Sequence, residues 1–143
     1  MAATLRHWGR VDLLVNNAGI NPVFGPMMDV DLAAARKVLE VNVLSSLRWS
    51  QLVYHGWMQA NGGCIVNVAS VTGLTAASGL GVYGTSKAAR IALTRQLGEE
   101  LGPDVRVNAV APGVVRTEFS RALYESSEDE VVATYPLRRL GAP

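Results

Sequence analysis

Three short apolar runs, each followed by a polar or turn-forming residue, organise the hydrophobic pattern of the chain. They cover residues 11–15, 64–69 and 105–110. Runs of this length that are rich in valine and isoleucine are typical of strands buried on both faces of a parallel sheet. The pattern therefore predicts three parallel strands.

Two long stretches of helical character separate these runs. The first covers about residues 29–60 and ends at Asn61-Gly62-Gly63, and the second covers residues 82–101 and ends at Gly102-Pro103. Glycine and proline at such positions are helix-stop signals. The order strand, helix, strand, helix, strand predicts right-handed crossovers and an α/β fold, namely part of a doubly wound, Rossmann-like parallel sheet.

The number of elements is small for such a fold. Residues 2–8 add only a short helical segment before Gly9. Three strands and two long helices cannot cover both faces of a doubly wound sheet, and one sheet edge would stay apolar and unpaired. We therefore expect residues 1–143 to be part of one larger domain, without a second domain.

Composition and charge exclude several classes of protein. The net charge is +1 over 143 residues, which gives no reason to propose nucleic acid or a membrane as partner. The absence of a long apolar run and of a signal-peptide core predicts a soluble, cytoplasmic protein. Cys64 is the only cysteine, so an internal disulfide or a multi-thiolate metal site is excluded, and we predict no metal site. Its apolar neighbours favour a buried strand position for Cys64.

The second long helix carries a tyrosine and a lysine at helical spacing. Tyr83 and Lys87 are four residues apart and therefore lie on one helix face, one turn from each other. An ammonium beside a phenol favours the phenolate and lowers the phenol pKa from about 10. This spacing also occurs by chance in many helices, so the pair alone predicts little.

Residues at three other positions favour a functional role for Tyr83 and Lys87. Ser70 closes the second strand at the carboxyl edge, where open α/β sheets bind ligands, although a serine there also suits a plain turn. Asn42 lies inside the first helix between valines, where asparagine is unfavourable without a buried partner or a functional role. Pro112-Gly113 follows the third strand and allows backbone amides to approach a flat ligand.

These elements together resemble a known family. Asn16-Asn17-Ala18-Gly19 directly follows the first strand, and Asn42, Ser70, Tyr83-x-x-x-Lys87 and Pro112-Gly113-x-x-x-Thr117 come next. Their order and spacing, over nearly the whole chain, are similar to those of the short-chain dehydrogenase/reductase family. The pattern is closest to the form that includes 3-oxoacyl carrier protein reductases and many sugar, steroid and polyol dehydrogenases.

The resemblance implies an activity and a set of catalytic residues. It implies hydride transfer between NAD or NADP and a small-molecule secondary alcohol or ketone. Tyr83 would be the general acid/base, and Ser70 would polarise the substrate carbonyl. Lys87 would lower the pKa of Tyr83 and hold the nicotinamide ribose hydroxyls. Asn42 would hold a water that links Lys87 to solvent.

The resemblance also implies cofactor contacts along the chain. Asn16, Ala18 and Gly19 would line the adenosine side of the cofactor cleft, and the Val115 backbone and Thr117 would contact the carboxamide or the phosphates. The full implied set is Asn16, Ala18, Gly19, Tyr83, Lys87, Pro112, Gly113, Val115 and Thr117.

The chain departs from the family pattern at both ends. The Thr-Gly-x-x-x-Gly-x-Gly phosphate loop with its strand and helix is absent, as is the C-terminal strand. Gly79-Leu80-Gly81-Val82-Tyr83-Gly84 matches the Gly-x-Gly-x-x-Gly spacing, but it does not directly follow a strand as a dinucleotide loop must. We therefore expect the catalytic half of a longer enzyme. The alternative is a truncated, catalytically silent paralogue that acts as an assembly or regulatory partner. In family members the residues that select NAD or NADP belong to the absent N-terminal part, so both cofactors and any small carbonyl or alcohol substrate stay open.

An aromatic stripe on the first long helix has two interpretations. Trp49, Val53 and Trp57 follow one another at intervals of four residues and form one packing face. The face would either be buried in the core or lie between subunits, since the family resemblance implies homo-oligomers paired through the two long helices.

Overall fold

The computed structural model describes residues 1–143 and shows strands and helices in the predicted order. The chain begins with α1 (Ala2–Trp8) and β1 (Leu13–Asn16). A long helical segment follows, in which π-helical turns Glu40–Leu44 and Tyr54–Met58 join α2 (Leu32–Leu39), α3 (Ser45–Val53) and α4 (Gln59–Asn61). The remaining elements are β2 (Gly63–Val68), α5 (Gly81–Leu101), β3 (Val105–Val110) and α6 (Glu128–Ala133). Short 3-10 turns lie at Met27–Asp29, Val71–Gly73 and Glu118–Leu123.

The strands form one parallel sheet in the order β1-β2-β3. The register aligns Leu14 with Ile65 and Ile65 with Val107, so these three side chains lie on the same face. The helical segment of α2 to α4 connects β1 to β2, and α5 connects β2 to β3. The predicted α/β, Rossmann-like architecture is confirmed.

The chain divides into two compact units. Residues 1–111 contain the sheet and helices α1 to α5, and residues 112–143 form the second unit with α6. Within the second unit, Val115 forms a parallel bridge with Gly141, and Arg116 is paired with Glu128. Leu140 and Ser120 are its buried residues.

The first long helix begins later than its predicted start at residue 29. Residues Met27–Asp29 form a 3-10 turn instead, and Asp31 is the N-cap of α2. Its carboxylate accepts hydrogen bonds from the backbone N–H groups of Ala33 and Ala34, at 3.1 and 3.3 Å. This cap satisfies N–H groups that have no partner within the helix, which fixes the start at this residue.

The prediction of burial on both faces is wrong for the two outer strands. The core consists of Val53, Met58, Ile65 and Val105, where the helices cover one face of the sheet. On the opposite face Leu13 and Val15 are 55% and 51% exposed. The reason is that all the long helices of this unit pack on the same face, so the other face stays open to solvent.

The aromatic stripe of the long helix is partly in the core and partly exposed. Val53 belongs to the core and Trp57 packs against it, whereas Trp49 is 48% exposed. Cys64 is half-buried rather than fully buried, because its side chain is on the open side of β2. None of the helices combines the length and the apolar character needed to span a membrane.

Candidate active site

Tyr83 and Lys87 lie in the first turns of α5, as the spacing predicts. The Lys87 ammonium is 5.3 Å from the centroid of the Tyr83 ring. Its Nζ donates a hydrogen bond to the carbonyl oxygen of Val68, the last residue of β2, at 2.9 Å. Lys87 is only 3% exposed, so a cation is buried at the carboxyl edge of the sheet.

Ser70 lies beside Tyr83, where the predicted site requires it. Ser70 follows β2, and its side chain is hydrogen-bonded to the Tyr83 hydroxyl. The Ser70 Oγ accepts hydrogen bonds from the Thr72 backbone N–H at 3.3 Å and from the Thr72 hydroxyl at 3.0 Å. Since a hydroxyl has two acceptor positions and one proton, these bonds leave the Ser70 proton free to be donated. Thr72, which the sequence patterns did not indicate, thus orients the Ser70 hydroxyl.

The pKa of Tyr83 differs in direction from the prediction. Burial raises the pKa of Tyr83 above 10.0, and this effect exceeds the lowering by the Ser70 hydrogen bond and by the positive charge of Arg90. The predicted net lowering by Lys87 is therefore wrong for this structure. The physical reason is that burial disfavours the charged phenolate more than the Ser70 hydrogen bond and the nearby positive charge favour it.

The pKa of Lys87 is shifted far from its ordinary value. Burial, and then the positive charge of Arg90, lowers the pKa of Lys87 from 10.5 to about 8. A lysine with such a pKa exchanges its proton close to neutral pH, unlike an exposed lysine. Lys87 is therefore suited to holding and passing on a proton.

Asn42 lies in the π-helical turn Glu40–Leu44 and is fully buried. Its Oδ1 accepts a hydrogen bond from the Ile20 backbone N–H at 2.8 Å, and its Nδ2 donates to the Ile20 carbonyl and to the Ser86 hydroxyl, both at 2.9 Å. The buried partners that the sequence requires are therefore present. Both amide N–H groups are occupied, so a water held by Asn42 would have to donate to one of its oxygens. That role stays a prediction.

Gly19 passes close to the buried amide and ammonium. A Cβ at this position would lie 3.3 Å from Asn42 Oδ1 and 3.5 Å from Lys87 Nζ. The absence of a side chain therefore lets the backbone at residue 19 approach Asn42 and Lys87 closely. Gly19 thus lies beside the lysine that the resemblance assigns to the nicotinamide ribose, although the resemblance assigns Gly19 to the adenosine side; cofactor contact by Gly19 stays a prediction.

Asn16 and Ala18 line an open groove beside β1. The groove has a volume of about 290 Å³, and Ser46 and Trp49 form its other wall. The Asn16 amide points inward and donates to Asn67 Oδ1 at 2.9 Å. The Asn16 side-chain amide is therefore bound within the core, and lining of a cofactor cleft by Asn16 and Ala18 stays a prediction.

The remaining predicted residues, Pro112, Gly113, Val115 and Thr117, belong to the second unit. Tyr135 Oη accepts a hydrogen bond from the Val114 backbone N–H at 3.0 Å and lies against Gly113. The Thr117 and Ser120 hydroxyls are 3.0 Å apart, and Ser120 also donates to the Val115 carbonyl. These contacts order the segment. Cofactor binding by these four residues stays a prediction.

Arg90 is a residue of the site that the sequence patterns did not identify. It is fully buried on α5, three residues after Lys87. The buried polar positions of α5 include Ser86, Lys87, Arg90 and Thr94, at spacings typical of one helix face. That spacing places Arg90 on the same face as Lys87 and was the available signal.

Solved structures share this arrangement of strands and helices over 99% of the chain. The crystal structure of NAD+-bound xylitol dehydrogenase superimposes with a TM-score of 0.91 and 30% sequence identity, and 61% of that chain is covered. The structure of ElxO with NADP bound gives a TM-score of 0.89 and 31% identity, with 58% of that chain covered.

Sequence relatives agree with the structural comparison. Dehydrogenase/reductase SDR family member 4 of Oryctolagus cuniculus is 39% identical over the whole chain, and that of Mus musculus is 41% identical over 99% of it. The chain covers 56% and 51% of these two proteins, so it spans about half the length of the curated relatives it matches. The family model for short chain dehydrogenase matches residues 1–128, and the chain therefore belongs to this family.

Proposed function

We propose that this chain is the catalytic half of an NAD(P)-dependent oxidoreductase that interconverts secondary alcohols and ketones. The observation that carries the proposal is the convergence of Ser70, Tyr83 and Lys87 at the carboxyl edge of the sheet. Two hydrogen-bonded hydroxyls and a buried ammonium there match what acid/base chemistry on a carbonyl oxygen requires. The complete enzyme, in this proposal, is this chain together with a phosphate-binding segment.

The space around Lys87 supports the nicotinamide end of a dinucleotide. The ammonium has three N–H donors and uses one on Val68, which leaves two for a ribose diol. The backbone at Gly19 lies close to the same ammonium. A bound nicotinamide would supply or accept the hydride. The solved relatives with NAD+ and NADP bound favour this assignment but leave the choice between the two cofactors open.

The proton in this reaction would come from Tyr83. Its raised pKa keeps the phenol protonated at neutral pH, as an acid for ketone reduction must be. Ser70 donates its hydrogen bond to the substrate oxygen, where negative charge develops, and Tyr83 transfers its proton to the same oxygen. The phenolate that remains would be stabilised by the Ser70 hydrogen bond and by the positive charge of Arg90. Lys87, with a pKa of about 8, is placed to return a proton.

The decisive experiment measures turnover of a panel of ketones by the complete enzyme with NADH and NADPH. We expect Tyr83→Phe to remove nearly all turnover and to leave cofactor affinity largely unchanged, because the ring and its packing are kept. Tyr54→Phe is the matched control, since Tyr54 packs against the core away from Ser70. If Tyr83→Phe keeps more than about a tenth of the turnover, Tyr83 is not the acid/base.

The long helices are also proposed to pair two copies of the enzyme. Leu39, Leu44 and Trp49 are exposed apolar residues on the segment α2 to α3. Burying these side chains against a second copy would remove them from water. Analytical ultracentrifugation of the complete enzyme should show an oligomer that Leu44→Glu weakens, and a monomeric wild type would contradict the proposal.

A further inference from the structure

Arg90 is a buried cation that has no acidic partner. Its side chain is fully buried, and none of the four ion pairs of the chain includes it. Burying a guanidinium is costly unless its N–H groups find acceptors, so such a residue requires a compensating set of hydrogen bonds.

The acceptors are four backbone carbonyl oxygens. Nε donates to Asn42 at 2.7 Å, and Nη2 donates to Ala18 at 2.9 Å. Nη1 donates to Asn16 at 3.1 Å and to Val68 at 2.8 Å. Four of the five N–H groups of Arg90 are thus bound to carbonyls from three separate segments of the chain.

These carbonyls lie at the positions that define the site. Asn16 and Val68 are the last residues of β1 and β2, and Asn42 is in the π-helical turn. At the end of a parallel strand and in a π-helical turn the backbone leaves its regular hydrogen-bond ladder, and its carbonyls need other donors. The planar, rigid fork of arginine supplies them from one side chain.

We propose that Arg90 is a positioning residue for the Tyr83–Lys87 pair. Its guanidinium holds the ends of β1 and β2 and the turn around Asn42 in one arrangement. The carbonyl of Val68 accepts from both Arg90 and Lys87, so Arg90 fixes the group that places the Lys87 ammonium. The inference rests on the proposed function, because the purpose of the arrangement is proton transfer at Tyr83.

The charge of Arg90 acts on the same pair. It lowers the pKa of Lys87, after the larger effect of burial, and it opposes the rise in the pKa of Tyr83. No carboxylate faces the pair from β1, β2 or the helical segment that contains Asn42. The acidic residues on or next to these elements, Asp12, Asp31 and Glu40, are exposed. Asp12 is paired with Arg10 and Glu40 with Lys37, and Asp31 caps α2.

The first test measures the titration of Lys87 in the 143-residue chain by NMR of lysine labelled with carbon-13. The chain contains only two lysines, and exposed Lys37 serves as the internal reference. Arg90→Met removes the charge while keeping an apolar chain of similar length. We expect the pKa of Lys87 to rise in Arg90→Met and to stay near its wild-type value in Arg90→Lys. An unchanged Lys87 titration in folded Arg90→Met would overturn the electrostatic part of the inference.

The second test separates the fork from the charge. Arg90→Lys retains the positive charge but cannot reach four carbonyls at once. In the complete enzyme we expect it to lower kcat at least about tenfold, with KM for the cofactor changed much less. A wild-type kcat in Arg90→Lys would show that the guanidinium hydrogen bonds do not position the catalytic residues. If Arg90→Met does not fold, this kinetic measurement alone decides whether Arg90 is a positioning residue.

The two tests also distinguish this inference from the proposed function. If the wild-type complete enzyme reduces no ketone and the Lys87 titration still depends on Arg90, the proposed function fails while the Arg90–Lys87 coupling stands. If the wild-type enzyme is active and both Arg90 variants match it in kcat and in Lys87 titration, the positioning role is wrong and the proposed function stands.

Discussion

Thr72 donates two hydrogen bonds to the Ser70 hydroxyl, from its backbone N–H at 3.3 Å and from its side chain at 3.0 Å. Both residues belong to the short segment between β2 and α5, and the segment's 3-10 turn at Val71–Gly73 brings Thr72 back over Ser70. Ser70 serves as the N-cap of that turn. The turn therefore directs the Ser70 proton towards Tyr83.

Substitutions at Ser70 and Thr72 should reduce turnover to different extents. In the complete enzyme, Ser70→Ala should lower kcat by about 10²–10³, the range for loss of one oxyanion-type donor. Thr72→Val removes only the side-chain bond, so we expect a loss of about tenfold, and Thr72→Ser should restore most of it. Steady-state kinetics with one accepted ketone measures both effects.

Thr75→Val is the matched control for Thr72. Thr75 also donates its hydroxyl within this segment, to the Val71 carbonyl at 3.2 Å, but it is exposed and does not contact Ser70. The kcat of Thr75→Val should equal that of the wild type. Wild-type kcat in Thr72→Val would show that the backbone bond alone orients Ser70.

The stability of the chain should depend on pH through Lys87. The pKa of Lys87 is about 8 in the folded chain against 10.5 for an unperturbed lysine, so the unfolded state binds more protons between these values. The free energy of unfolding should therefore rise as pH increases from about 8 towards 10.5. The raised pKa of Tyr83 has the opposite effect above pH 10.0, because the unfolded state loses its phenol proton first. Urea unfolding at several pH values tests both trends.

Two lysine variants check the origin of this dependence. Lys87→Met removes the buried charge and should abolish the rise, whereas Lys37→Met changes an exposed lysine paired with Glu40 and should keep it. A rise of equal size in Lys87→Met would assign the pH dependence to another group.

Much of the fold and part of the site follow from the sequence. The pattern of alternate valines predicts β3 with its observed bounds, Val105–Val110, and the glycines at 62 and 102 mark the helix ends. Strand ends and helix spacing are also sufficient to predict that Ser70 lies near Tyr83. These features depend on local periodicity and turn chemistry, which a sequence displays directly.

The features of the site that the sequence does not predict depend on contacts between distant segments. Arg90 reaches carbonyls that are 22 to 74 residues away in the chain, and no local pattern encodes such partners. The direction of the Tyr83 pKa likewise depends on how deeply the phenol is buried and on where the Lys87 ammonium points. The π-helical turn at Asn42 was visible only as an asparagine out of place between two valines.

Cofactor binding by the 143-residue chain alone should be weak. A pyrophosphate binds where free backbone N–H groups and the positive end of a helix dipole meet in a glycine-rich loop after a strand. After β1, the N–H groups of Ala33 and Ala34 at the start of α2 are already bound by the Asp31 carboxylate, which also repels phosphate. The ribose contacts of Lys87 alone would then have to hold the dinucleotide. We expect dissociation constants weaker than about 0.1 mM for NADH and NADPH.

Fluorescence titration of the chain with NADH and NADPH measures this affinity, and calorimetry provides an independent check. Gly19→Val is the informative variant, because its side chain would press against Asn42 and Lys87 and should abolish even weak binding at the nicotinamide end. The complete enzyme, measured in parallel, should bind at least about a hundredfold more tightly if its additional segment supplies the phosphate contacts. A micromolar dissociation constant for the chain alone would mean that it holds the dinucleotide without a phosphate loop. The residues of the groove beside β1 would then be the first to substitute. Asn16, Asn17 and Ala18 line this groove and directly precede Gly19 in the chain.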